Sequence, residues 1–163
     1  MNTTDGLIEI LSDMRRINKE RLDCYENVLN REQVLHVELL SMINNKISEC
    51  RRNIVALTKL TMSFGVDFGE LGIIPGQIFL LWSEARKECR DNFRQSVLNE
   101  CSEGEAAALE AYRAALVSEV LNHFESRKLL MDQKFLLQIF MDQLNRYRDL
   151  QVLSVQPVLY SNY

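Results

Sequence analysis

The residues best suited to binding a metal ion in this sequence are its two histidines, each of which follows a glutamate by four positions. The two pairs are Glu32 with His36 and Glu119 with His123. A carboxylate-bridged metal centre inside a helical bundle takes a Glu-x-x-His pair from each of two helices, because side chains three positions apart project together into the core. Neither histidine has a glutamate at that spacing. A spacing of four is also common on helix surfaces, so these residues are candidates only for an atypical metal site at one shared end of a bundle.

Polar side chains within otherwise apolar helix faces form a second set of candidates. Asn18 and Arg21 lie in the apolar stripe of the first predicted helix, and Gln133 lies in that of the fourth. Glu105 flanks the apolar face of the third, and all four residues fall near mid-height. Since buried charges occur mainly in pairs, we predict a buried polar network in which Arg21 pairs with Glu105. Asn18 would pair with Gln133. The alternative is that Arg21 extends along the helix surface to reach solvent.

The sequence offers little for catalysis. It has no nucleophile elbow, no phosphate-binding loop and no dinucleotide-binding glycine motif. Its four cysteines lie far apart, and Cys50 and Cys101 fall on inward faces, where thiols mostly behave as small hydrophobic groups. Arg21 would keep its charge at mid-height and repel a metal cation. We therefore predict no catalytic residue, no mid-bundle metal and no cofactor, and we favour a protein that is not an enzyme.

Composition restricts the class of protein further. The chain has 163 residues, 19 basic and 23 acidic side chains, a net charge of −4 and a hydrophobic share of 47%. Six glycines and two prolines are too few for a turn-rich β-sandwich and leave room for long helices. The acidic balance argues against nonspecific nucleic-acid binding. Because the sequence has neither a secretory signal nor a run of about 18 apolar residues, we expect no membrane span and a cytoplasmic protein with reduced thiols.

Hydrophobic residues recur at helical spacing in four long segments, which predicts an all-α fold. We expect main helices at 5–29, 32–64, 92–117 and 122–151, with a short extra helix at 77–88. Residues 65–76 hold four of the six glycines and form the expected crossover, with Gly65 ending the second helix. The predicted arrangement is an up-down-up-down four-helix bundle that comprises residues 1–151.

The C-terminal segment, residues 152–163, is predicted to be an apolar tail. Unstructured termini are usually polar, so we expect this tail to lie along its own bundle or across a partner. Pro157 should keep it extended rather than helical. Isologous two-fold pairing is the commonest way to bury such a patch, and we therefore expect a homodimer.

Small residues follow one face of the third main helix at alternating spacings of four and three. They are Val97, Cys101, Gly104, Ala108, Ala111 and Ala115. Without large side chains the helix can approach its neighbours more closely than the usual distance of about 8–10 Å. A glycine inside a helix costs about 1 kcal/mol relative to alanine, so Gly104 indicates a contact with no room for a Cβ atom.

The same helix carries a recognisable motif, Cys101-x-x-Gly104-Glu105-x-Ala107 followed by Tyr112. This run resembles the third helix of a bacterial ferritin-like four-helix-bundle family of unknown function. The first helix agrees, because residues 17–26 resemble that family's Ile-Asn-Asn-Asp-x-Ile-Glu-Gly-Tyr-Glu stretch, with Cys24 in place of its usual glycine. Trp82 matches a family aromatic, and the resemblance extends over residues 7–150. It implies a ferritin-like bundle and no established activity.

These observations lead to one expected function and two alternatives. We expect a non-catalytic bundle that acts through protein contacts, in the stress-associated setting that the wider resemblance implies. The first alternative is a metal-dependent, di-iron-like oxidoreductase or iron-handling protein with an atypical ligand set. The second is a carrier that holds a small ligand between its helices.

Overall fold

The computed structural model describes residues 3–31, 36–67, 74–90 and 97–161, with side chains described in these ranges except at 87–90 and 151–161. Over that part of the chain the structure is helical and contains no strand. The helices are α1 (Thr3–Arg31), α2 (Val37–Met62), α3 (Gln77–Arg90), α4 (Val97–Leu116) and α5 (Phe124–Ser161). The all-α prediction is confirmed. None of these helices has an apolar stretch long enough to cross a membrane.

Four of the helices surround the core. α1 packs against α2 and α4, and α5 packs against the same two helices from the other side. α3 lies outside this group, against α1 and α4.

The directions of the four long helices differ from the prediction. Residues early in α1 contact residues late in both α2 and α4, so these two helices run antiparallel to α1 and parallel to each other. The contacts that set these directions are Arg15–Thr58 and Glu26–Arg51 between α1 and α2, and Asn18–Tyr112 and Arg31–Glu100 between α1 and α4. The predicted up-down-up-down order is therefore wrong, and the observed order is up-down-down-up. The physical reason is α3, whose 14 residues span about 21 Å and carry the chain back before α4 begins.

A buried carboxylate of α1 positions the start of α3. Asp13 is 2% exposed, and its two carboxylate oxygens accept hydrogen bonds from the backbone N–H groups of Gly76, at 2.8 Å, and Phe79, at 3.1 Å. Burial raises the pKa of Asp13 above its ordinary value, although these two hydrogen bonds act in the opposite direction. Gly76 permits the contact, since a Cβ atom there would lie 2.4 Å from Asp13 Oδ2. Asp13 thus caps α3 from a neighbouring helix.

Both ends of α2 are defined by the backbone. The helix begins at Val37 rather than at 32, and His36 is its N-cap residue, without a side-chain capping hydrogen bond. Beyond the other end, Gly65 has a φ of 83° and donates its N–H to the carbonyl of Met62 at 2.9 Å. This left-handed conformation suits glycine, and Gly65 follows the helix as predicted, although the helix ends at Met62 rather than at 64.

Two apolar clusters fill the core, one towards each end of the molecule. The larger includes Leu11, Met14, Ile17, Leu57, Tyr112, Leu130 and Leu137, and the other includes Tyr25, Ile43, Cys50, Cys101, Phe140 and Leu144. Along α1, α2 and α4 the buried polar residues Asn18, Arg21, Asn53 and Glu105 separate the two clusters. The polar site therefore lies inside the protein, with apolar packing on both sides.

The C-terminal segment is helical, contrary to the prediction. α5 continues through Pro157 and ends at Ser161. Proline removes one backbone donor, but each residue added to an existing long helix gains a further hydrogen bond, so the helix propagates beyond the missing bond. The expectation that this segment covers its own bundle or a partner stays a prediction.

Candidate functional site

The centre of the site is an ion pair between α1 and α4. Arg21 Nε lies 3.0 Å from Glu105 Oε1, and Arg21 NH2 lies 2.8 Å from Glu105 Oε2. The two side chains are 3% and 1% exposed. The sequence-predicted contact is therefore present, in the bidentate geometry that makes such pairs strong. Arg21 does not extend to solvent, and that alternative is wrong.

Amide and phenol groups connect this ion pair to the other two long helices. Asn18 Oδ1 accepts hydrogen bonds from Arg21 NH1 at 2.8 Å and from Asn53 Nδ2 at 3.0 Å. Asn18 Nδ2 donates to the Tyr112 hydroxyl at 2.9 Å, and that hydroxyl donates to Gln133 Oε1 at 2.7 Å. The expected direct bond between Asn18 and Gln133 is therefore wrong, because the phenol of Tyr112 lies between the two amides. Groups from α1, α2, α4 and α5 meet in this network.

A second buried cation lies on α2, where sequence reasoning missed it. The Lys46 side chain is 2% exposed, and its Nζ forms an ion pair with Glu49 and lies 3.9 Å from Glu105 Oε2. The same ammonium lies 4.5 Å from the centre of the Phe140 ring, a cation–π distance. The signal that could have found it is its position between Ile43 and Cys50 on the apolar face of α2.

The electrostatics of the cluster keep Glu105 ionised. Burial alone would raise its pKa, but the charges of Arg21 and Lys46, with hydrogen bonds from Arg21 and Tyr25, outweigh burial and hold the pKa of Glu105 below its ordinary value. Burial, together with the charge of Glu105, holds the pKa of Tyr25 well above the usual range. The formal charges of Arg21, Lys46, Glu49 and Glu105 sum to zero. The arrangement is thus a neutral, internally paired cluster, and its ionised carboxylate is already bound by its neighbours.

The two candidate histidines do not come together. His36 is exposed at the start of α2, with its ring 6.0 Å from that of Tyr147. His123 lies beyond the opposite end of α2, with its ring 5.1 Å from that of Phe64. The 26 residues of α2 span about 39 Å, so the expectation that the two histidines share one end of the bundle is wrong. Because α4 runs parallel to α2 rather than antiparallel to it, the direction of α5 is opposite to the predicted one. His123, at the start of α5, therefore lies at the end of the bundle opposite His36.

Of these candidates, His123 has an observed structural role. His123 Nδ1 accepts a hydrogen bond from the backbone N–H of Ser126 at 3.2 Å and therefore caps α5. Glu119 is exposed in the preceding turn, and Glu32 lies outside the described residues. Within the described ranges no three His, Cys, Asp or Glu side chains are grouped so that they could hold a metal ion. The polar groups halfway along the helices do not fit a di-iron centre, because the carboxylate of Glu105 is bound by Arg21 and faces Lys46.

A narrow cavity adjoins the cluster where α1, α3 and α4 meet. It is partly open and has a volume of about 20 Å³, room for about one water molecule. Its lining includes Arg21 and Cys24 from α1, Trp82 and Arg86 from α3, and Glu100, Cys101, Gly104 and Glu105 from α4. A Cβ atom on Gly104 would lie 2.5 Å from Arg86 NH1. The prediction that Gly104 marks a contact with no room for a side chain is confirmed, and the neighbour is a guanidinium group.

The outer face of α5 carries a stripe of exposed apolar side chains. Met131 is 51% exposed, Phe135 61% and Ile139 39%. The opposite face of the same helix lies in the core, through Leu130, Leu137 and Leu144. A groove beside the stripe is lined by residues of α4 and α5, including Leu109 and Arg113. Sequence reasoning missed this surface because it considered the inward apolar stripe of the helix and not Met131, Phe135 and Ile139.

Comparison of the chain with models of protein families, with curated proteins and with solved structures gave no match. The ferritin-like resemblance drawn from α1 and α4 therefore stays a prediction, and function is inferred from the geometry of this chain.

Proposed function

We propose that the chain is a ferritin-like four-helix bundle without catalytic activity, which acts through protein contacts and first of all through a homodimer formed along α5. The observation that carries this proposal is the exposed stripe of Met131, Phe135 and Ile139. A contiguous exposed apolar patch on a soluble protein typically marks an interaction site. One crossover between the second and third long helices is the connectivity of ferritin-like bundles and supports that part of the proposal.

The polar cluster supports a structural role for the middle of the bundle. Arg21 holds both carboxylate oxygens of Glu105, and its guanidinium remains charged in proteins. A metal cation at this position would have to displace that charge and would also face Lys46. These contacts weigh against the metal-dependent alternative and leave the outer surface as the better place for function.

The stripe is self-complementary, which favours a second copy of the chain as its occupant. At about 100° per residue, eight positions of α5 with described side chains lie within about 40° of the direction of Phe135. These positions are Phe124, Lys128, Met131, Phe135, Ile139, Asp142, Arg146 and Asp149. With Phe135 on a two-fold axis and the two α5 helices antiparallel, Met131 faces Ile139 of the partner subunit. Lys128 then faces Asp142 of the partner subunit, so an apolar centre is flanked by opposite charges, as an isologous interface requires.

Sedimentation velocity of the full chain over a wide concentration range tests this proposal. We expect a dimer that F135D converts to a monomer, because the substitution places a charge on the two-fold axis. V55D provides a matched control, since Val55 is also exposed, at 53%, but lies on α2. A monomer at every concentration, or equal effects of F135D and V55D, would contradict the proposed interface.

A charge exchange tests the register of the two helices. K128D and D142K each place like charges opposite one another and should weaken the dimer, whereas the double variant restores opposite charges and should recover it. Lys128 also pairs with Asp132 in its own helix at 2.8 Å, and K128D and the double variant lose that contact equally. Recovery in the double variant therefore isolates the pairing between subunits. No recovery would rule out this register.

A further inference from the structure

Arg86 carries a buried positive charge that no carboxylate among the described side chains neutralises. Arg86 is 8% exposed, and among the residues with described side chains no carboxylate lies within ion-pair distance of its guanidinium. Two glutamates line the same cavity, but Glu105 is paired with Arg21 and Glu100 with Arg31. An unpaired buried charge is costly, so a further anionic group beside Arg86 would stabilise it.

The nearest candidate for that partner is the thiol of Cys24. Arg86 NH2 lies 2.9 Å from Cys24 Sγ, and Cys24 is half-buried and not part of a disulfide. A guanidinium beside a thiol favours the thiolate, which is the nucleophilic form of cysteine. We propose that Cys24 is a thiolate held by Arg86 and is a site of oxidation by small hydroperoxides, independent of the dimer proposed above.

The cavity beside Cys24 provides hydrogen-bond donors for such a substrate. Trp82 Nε1 and Arg86 Nε are buried and have no hydrogen-bond partner in the described part of the chain. Both residues line the partly open cavity, which has room for about one water-sized group. An oxygen atom of a hydroperoxide placed there could accept hydrogen bonds from these donors while its neighbour lies against Sγ.

The reaction expected with hydrogen peroxide is a two-electron oxidation of sulfur. The thiolate of Cys24 attacks one oxygen, an S–O bond forms and the O–O bond breaks. The second oxygen leaves as hydroxide and takes a proton from solvent to become water, and the Sγ–OH product is a sulfenic acid. Hydrogen peroxide supplies the oxidising equivalents, and the guanidinium of Arg86 faces the negative charge that moves from sulfur to oxygen.

The other described cysteines serve as internal references. Burial and the nearby charge of Glu105 raise the pKa of Cys101 to about 12, although Cys101 lines the same cavity. Burial also raises the pKa of Cys50. Both thiols are buried and are expected to remain protonated and unreactive near neutral pH. The charged groups among the described residues that line the cavity are Arg21, Arg86, Glu100 and Glu105, and of these only Arg86 has no described carboxylate partner.

The first experiment measures how fast each cysteine of the native full chain is alkylated by iodoacetamide, with peptide mapping to separate the sites. Near pH 6, well below the ordinary thiol pKa of about 8.5, we expect Cys24 to react faster than Cys50 and Cys101. R86M should slow Cys24 at least about tenfold, the effect of one unit in thiol pKa, and the difference should disappear at strongly alkaline pH. R86K, which retains a positive charge, should keep part of the reactivity.

A second variant guards against loss of folding in R86M. G104A leaves Arg86 in the sequence but places a Cβ atom where its guanidinium lies, and it should also slow Cys24 near pH 6. Treatment of the wild type with hydrogen peroxide, followed by a sulfenic-acid trapping reagent, should label Cys24 ahead of the other two. Circular dichroism confirms that each variant is folded. An alkylation rate of Cys24 equal to that of an ordinary thiol, unchanged rates in folded R86M and G104A, or no trapped adduct on Cys24 would overturn the proposal.

Discussion

The ion pair between Arg21 and Glu105 gives the most direct test of whether the buried charges of the core stabilise one another. In the wild type the four charges of Arg21, Lys46, Glu49 and Glu105 cancel. E105Q leaves two buried cations against one anion, and R21M leaves two anions against one cation. Each single change should therefore lower the free energy of unfolding by about 3–5 kcal/mol, the usual effect of stranding a buried charge. The double variant removes one charge of each sign and leaves Lys46 paired with Glu49.

The double variant should consequently lose much less stability than the sum of the two single losses. We expect a coupling energy of about 2–3 kcal/mol, at the upper end for residues in direct contact. Urea unfolding followed by circular dichroism measures all four proteins, and small domains have a total stability of only about 5–15 kcal/mol. Because each single variant is expected to lose a large part of this total, the four proteins should be compared at low temperature, where the single variants remain folded without urea.

An exposed pair provides the matched control for this cycle. Arg113 and Glu110 lie 2.7 Å apart on α4, with side chains 50% and 60% exposed. Their coupling energy should be about 0–1 kcal/mol, because solvent screens both charges. A coupling between Arg21 and Glu105 as small as that of the control would refute the reasoning. It would mean that water reaches the cluster and replaces each missing partner.

Two further predictions concern carboxylates whose partners are seen in the structure. The pKa of Glu105 is lowered in the folded state. The carboxylate therefore stabilises the fold above its ordinary pKa of 4.5, and this contribution is lost as the pH falls below that value. In urea titrations, the difference in free energy of unfolding between wild type and E105Q should consequently become smaller in acid. D13A should lower the free energy of unfolding by about 0.5–2 kcal/mol, as for loss of a helix cap, and should speed amide hydrogen exchange in α3. D132A, at an exposed carboxylate of α5, serves as its control and should change stability by less than about 0.5 kcal/mol. Equal effects of D13A and D132A would show that Asp13 does not hold α3.

Local pattern was sufficient to predict the helices and one central contact. Apolar residues at helical spacing indicate a helix wherever they occur, and each of the five helices overlaps its predicted range. Arg21 and Glu105 could be paired from sequence because each is polar within or beside an apolar stripe at the same height. Lys46 shares that property, but lysine side chains commonly extend to solvent from such positions, so spacing did not distinguish a buried ammonium from an exposed one.

The remaining features depend on contacts between distant parts of the chain. Asp13 caps α3 across 63 positions of sequence, and no local spacing encodes that distance. The course of α3 reverses the direction of α4 and α5 relative to the prediction, and this single error separates His36 from His123. The Tyr112 hydroxyl bridges Asn18 and Gln133 because the two amides lie on α1 and α5, which are not adjacent around the core. Which side chains meet across the core depends on the order and direction of the helices around it, and residue type alone does not indicate this.

Gly104 and Arg86 show why a helix of good helix formers contains one unfavourable residue. Among the small residues of α4, alanine would maintain close packing and would favour the helix by about 1 kcal/mol relative to glycine. An alanine Cβ, however, would meet Arg86 NH1 at 2.5 Å, and the guanidinium could not then reach Cys24 Sγ in its present position. The remaining small residues, Ala108, Ala111 and Ala115, are fully buried and carry side chains without such a conflict. The glycine therefore leaves space for the end of a charged side chain of α3, and the atoms nearest to its missing Cβ belong to Arg86 rather than to a helix backbone. The loss of helix propensity at Gly104 thus falls beside Arg86. Among the described side chains of this cavity, Arg86 is the one cation without a carboxylate partner.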